Sequence, residues 1–174
     1  MFLKAKWMFS YLFEEFAIEN QNVDFNNLYI WIINSDKTPP HIGISRNLQF
    51  FSLKATGKDN GLSTMDTFSL FKKKKIEFIL VELNSLLFDR DLEKVYSSYS
   101  TAIPTKVSCI TPVLDFLNLS EPFLLFDLIR YLNKKNMISS VNVYNFRREK
   151  LGLGIYGDKD VAFEIEKLQG AKRN

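Results

Sequence analysis

The chain has 174 residues, a formal net charge of +3 and a single cysteine. That length suits one domain, and so mild a charge does not single out nucleic acid or an anionic membrane as a partner. A lone thiol excludes an internal disulfide and any metal cluster built on several thiolates, which suits a reducing, cytoplasmic compartment.

Residues 2–18 carry Phe2, Trp7, Phe9, Leu12, Phe13 and Phe16 at near-helical spacing, so the sequence predicts an amphipathic helix within residues 1–20. It would pack on the core or dock a partner. With Lys4, Lys6, Glu14 and Glu15 among them, these residues lack the continuous apolar stretch of a signal peptide. No run in the chain approaches the ~18 apolar residues of a membrane span.

Leu28 to Ile33 is apolar and β-branched, and reads as a buried strand. Residues 34–40 form a turn in which Pro39 and Pro40 hold the chain extended. His41 to Ser45 reads as a second strand, Arg46-Asn47 as a hairpin tip and 48–55 as the return strand. Residues 56–63, with Gly57 and Gly61, read as a loop. A helix is expected over 65–75, its Lys72 to Lys75 run suiting the negative end of the helix dipole. Then come a strand over 76–83, a helix over 86–98 and a loop over 102–105. Next is a helix over 111–117 with Thr111 as N-cap and Pro112 at its first position. Helices over 121–133 and 160–168, a strand over 141–146 and a frayed tail over 170–174 complete the reading. The local two-strand return implies antiparallel pairing. The expected class is α+β, a mostly antiparallel sheet or small barrel flanked by helices, as a single domain over 1–174.

Chemistry concentrates on two unique residues. His41 opens a strand after two prolines, and Cys109 stands just before a helix in Val107-Ser-Cys-Ile-Thr-Pro112. A thiol at such a position feels the positive end of the helix dipole, which favours the thiolate. An imidazole beside it can take its proton and return it to a leaving group. By strand alternation, His41, Gly43 and Ser45 share one face while Ile42 and Ile44 take the other. Gly43 would leave room for a close approach. His41 and Cys109 are therefore expected to face one cleft.

The segment His41-Ile-Gly-Ile-Ser45, followed by a hairpin and Gln49-Phe-Phe-Ser-Leu-Lys54, resembles the His-bearing part of permuted papain-like proteins. These include the lecithin:retinol acyltransferase group, permuted relatives of the cell-wall amidases, and PPPDE-type isopeptidases. In them His precedes Cys along the chain, as His41 precedes Cys109 here. The resemblance spans residues 28–117, within an expected His/Cys core over 28–120, and implies a cysteine hydrolase or acyltransferase acting on an amide, isopeptide or ester. Cys109 would be nucleophile, His41 base and then acid, and Ser52 on the return strand the orienting residue. It implies a peptide or acyl substrate and no cofactor. A non-catalytic protein-interaction module of the same fold is the alternative.

Other motifs carry less. Gly152, Gly154 and Gly157 spell GxGxxG, but no second strand unit follows them, so they read as a glycine-rich loop. Arg147, Arg148 and Lys150 read as a solvated strand end rather than a nucleic-acid patch. The pairs Asp89/Asp91 and Glu164/Glu166 lack the further ligands a metal needs.

Overall fold

The computed structural model describes residues 9–121 and 123–172. The class is α+β, with a mostly antiparallel, open sheet and five α-helices among the described residues.

The sheet is built on β3 (Leu28–Ile33), β4 (His41–Arg46), β5 (Gln49–Lys54), β6 (Gly57–Ser63), β7 (Phe78–Leu83) and β8 (Ile138–Tyr144), with β2 (Ala17–Ile18) at its far edge. Strand order is β2-β8-β7-β3-β4-β5-β6, antiparallel throughout except for the β2–β8 pair. The edge strands β2 and β6 do not meet, so the sheet is not a barrel. A second, two-stranded sheet pairs β1 (Phe9–Leu12) with β9 (Gly152–Gly154).

Every residue of β3 is buried, because both faces of the sheet are covered. Alternation sorts its side chains. Leu28, Ile30 and Ile32 join one core with Ile42, Ile44, Ile79 and Val81. Tyr29, Trp31 and Ile33 join a second with Phe50, Phe78 and Tyr144. Helix α1 (Thr64–Lys73) covers this aromatic face through Phe68 and Phe71. Trp31 stacks on Phe78 with centroids 5.7 Å apart, and its indole Nε1 donates to Ser45 Oγ at 2.8 Å. That bond satisfies a polar atom that burial would otherwise leave orphaned. The aliphatic face packs under α2 (Leu92–Ser97), α3 (Thr111–Phe116), α4 (Leu125–Lys134) and α5 (Asp158–Ala171).

Several sequence expectations are corrected. The helix over 2–18 is not formed in its described part, where β1 and β2 stand instead; residues 1–8 lie outside the described residues. The partner that makes Phe9–Leu12 a strand is β9, remote in sequence. Gly152 permits the contact, since a Cβ there would come within 2.4 Å of Phe9 Cδ1. The glycine-rich stretch is thus partly strand rather than loop. Of the expected loop over 56–63, Gly57–Ser63 is the edge strand β6, paired with β5 from Gln49↔Ser63 to Lys54↔Gly57. The hairpin tip lies one residue later than expected, at Asn47-Leu48, both with positive φ (51° and 63°) as a type I′ turn requires. The expected helix over 86–98 is divided into a 3-10 turn at Ser85–Leu87 and the short α2. The N-cap of α3 is Ile110; the Thr111 hydroxyl instead accepts from Ser108 N at 2.9 Å. The tail assigned to 170–174 is helical as far as Ala171, with Arg173 and Asn174 outside the described residues.

Candidate functional site

Pairing between β4 and β5 runs only from Arg46↔Gln49 to Gly43↔Ser52. Beyond Gly43 the two strands part, so His41 and Ile42 stay bonded to β3 but leave β5. A cavity of about 1190 Å³ opens there. Its strand side holds Pro40, His41, Ile42, Leu53 and Lys54; its helix side holds Cys109, Leu114 and Ile165.

The segment bearing Cys109 is tied to this opening at several points. Ala102 N donates to Lys54 O at 2.8 Å, and Gln169 Nε2 of α5 donates to both Ala55 O and Ala102 O. An Ile103↔Val107 bridge tightens the loop. Cys109 then stands two residues before the first residue of α3. Both residues border this cavity, but their side chains do not face each other. His41, opposite Ile33, lies on the aromatic face of the sheet with Gly43, whereas Cys109 packs with Ile42 against the aliphatic face, so the expectation that the two face one cleft is not met. No hydrogen bond joins them among the described residues.

Both groups are held neutral. Burial pushes the Cys109 thiol up to about 11, although the backbone amides of Ile42, Cys109 and Ile110 act in the opposite sense. Burial pushes the His41 imidazole down to about 4, with the Asp59 carboxylate opposing. His41 Nε2 is shut off from solvent and has no hydrogen-bond partner among the described residues.

Ser52 does not orient the imidazole: its hydroxyl donates to Asp59 Oδ2 at 2.7 Å. Asp59, on β6 opposite Ser52, also accepts from Lys54 Nζ at 2.5 Å and is the carboxylate that acts on His41. Sequence reasoning missed it because residues 56–63 read as a loop. The available signal was the Lys54-Ala-Thr-Gly57 turn, which places Asp59 back across from Ser52.

The open face expected around Gly43 is absent. A Cβ there would come within 2.6 Å of the Phe50 ring, so the missing side chain accommodates an aromatic of the second core, not a substrate. A further buried hydroxyl, that of Tyr96, has no partner among the described residues, and its pKa is raised by burial and then by Cys109. Among the described residues, no three His, Cys, Asp or Glu side chains group as metal ligands. No described helix is long and apolar enough to cross a membrane.

Comparison of the chain with protein-family models, curated proteins and solved structures finds no match.

Proposed function

We propose that the chain is a cysteine hydrolase or acyltransferase acting on an amide, isopeptide or ester bond, in the manner of the permuted papain-like proteins it resembles. The observation that supports this reading is that the only histidine and the only cysteine border one cavity, where the backbone at Ile42, Cys109 and Ile110 favours the thiolate against burial. Backbone donors so placed stabilise negative charge that develops on a thiolate or on the oxygen of an attacked carbonyl. Asp59 replaces Ser52 as the group that favours the imidazolium.

The resting pair is neutral. Moving the thiol proton to the imidazole costs roughly 10 kcal/mol from pKa values of about 11 and about 4, before attraction between the new charges is counted. Activation therefore belongs to the substrate complex. As Cys109 Sγ bonds to the carbonyl carbon, its proton passes to His41. The bond to the leaving nitrogen or oxygen then breaks, and His41 returns the proton to it. Water or an acceptor hydroxyl or amine releases the acyl group from Cys109 by the same steps reversed.

The test is acylation of Cys109 by a p-nitrophenyl ester at pH 7, with p-nitrophenolate release and intact mass as readouts. Wild type should show a burst of one equivalent, with His41→Ala slower by 100-fold or more and Asp59→Asn intermediate. Equal rates in wild type and His41→Ala would overturn the reading. The alternative, a non-catalytic interaction module of the same fold, draws support from the missing hydrogen bond between two neutral groups, and predicts no burst.

A further inference from the structure

The cavity exceeds what a catalytic pair needs. At about 1190 Å³ it passes the upper end of ordinary small-molecule sites, ~300–1,000 Å³. Besides His41 and Cys109 its lining is largely aliphatic, with Leu53, Leu114, Leu125, Val161, Ala162 and Ile165 from three helices and a strand. At its opening stand Ile103, Phe163 and Leu168, which are 46%, 67% and 48% exposed, on the loop and helix that frame it. Large apolar side chains left in water around a concave apolar wall mark a place where an apolar ligand enters.

The charge at the opening has a sign. Lys37, Lys106, Lys159 and Lys172 border the cavity and are exposed, and none of them forms an ion pair among the described residues. Lys54 is neutralised by Asp59. Of the bordering acids, Glu164 is bound to Lys167 at 3.0 Å, leaving Asp158 and Glu166 against four free lysines. The interior offers no compensating charge, because its imidazole and thiol are both neutral at pH 7.

We propose that this cavity binds an anionic amphiphile, an unbranched apolar chain bearing one carboxylate or phosphate, with the chain against the aliphatic wall and the head among the bordering lysines. Burying the chain removes apolar surface from water on both sides. The head stays at the opening, beside the exposed bordering lysines. Binding does not require Cys109 to react, so the inference stands apart from the catalytic reading.

Isothermal titration of the full chain tests it with four dodecyl probes below their micelle concentrations: dodecanoate, dodecyl phosphate, dodecyltrimethylammonium and dodecyl maltoside. Expected is saturable one-to-one binding of the two anions, at least tenfold tighter than the cation. The Lys106→Glu/Lys159→Glu variant, changed only at exposed positions, should lose at least tenfold for the anions and keep its affinity for the maltoside. Cys109→Ser should bind dodecanoate as wild type does; binding without an acylation burst would leave this inference standing and remove the catalytic one. Equal affinity for anion and cation, no saturable binding, or an equal loss for all probes in the lysine variant would overturn it. Co-sedimentation with phosphatidylglycerol vesicles is the arm for a lipid headgroup, and binding seen only there would also overturn an enclosed-chain site.

Discussion

Acidification from pH 7 to 4.5 isolates the energetic cost of enclosing His41. The imidazole has an ordinary pKa of 6.5 and is held at about 4 in the folded chain, chiefly by burial. The unfolded chain therefore binds the proton more readily than the folded one. Stability due to this residue is fully present above pH 6.5 and is lost as pH falls toward 4. The two values together correspond to about 3 kcal/mol when protonation is complete in both states, and to about 2–3 kcal/mol at pH 4.5. Urea unfolding followed by tryptophan fluorescence measures it, since Trp31 is wholly buried against Phe78. Carboxylates titrate in the same range, so the informative quantity is the loss between the two pH values in wild type minus the loss in His41→Gln. Wild type should lose about 2–3 kcal/mol more. Equal losses in the two proteins would refute the claim that the imidazole is enclosed and neutral.

Three further substitutions probe the frame around the site. Gly43→Ala should destabilise by about 1–3 kcal/mol, because its methyl meets the Phe50 ring and the Trp31–Phe50 contact must shift; thermal unfolding reads this, and an unchanged midpoint would argue against the close packing. Glu77→Ala should cost about 3–5 kcal/mol in urea unfolding, since it leaves Arg148 and the Ser35 hydroxyl without their buried carboxylate. Leu48→Gly should raise stability by about 1 kcal/mol, because leucine holds a left-handed φ of 63° there; a loss of stability would show that the Leu48 side chain matters more than its backbone strain.

The sequence makes strands legible where their own side chains enter a core. Leu28–Ile33 and Phe78–Leu83 are buried on both faces, and their apolar runs say so locally. Strands whose pairing comes from elsewhere carry no such mark. Gly57–Ser63 is polar because it lies at an edge and takes its order from β5, and Phe9–Leu12 is a strand only because Gly152–Gly154 reaches it. Helical spacing in residues 9–18 is real but subordinate to that long-range pairing. The same holds at the site. His41 and Cys109 draw notice by being unique, yet the parting of β4 from β5 and the Ala102–Lys54 bond that bring them to one cavity have no local signature. Nor does burial strong enough to hold both groups neutral. Asp59 carries no local mark for the same reason: it sits on the polar edge strand β6.

The two ends of the large sheet bear on how this molecule avoids its own kind. At one end, β2 offers only Ala17 and Ile18, too short to template a newcomer. At the other, β6 presents Lys58, Asp59, Asn60 and Gly61, and the β5–β6 ladder slips register between Phe50 and Phe51. Short, charged and irregular edges discourage a passing strand from extending the sheet. In a chain with sixteen phenylalanines, both flanks of the large sheet thus disfavour the addition of another strand.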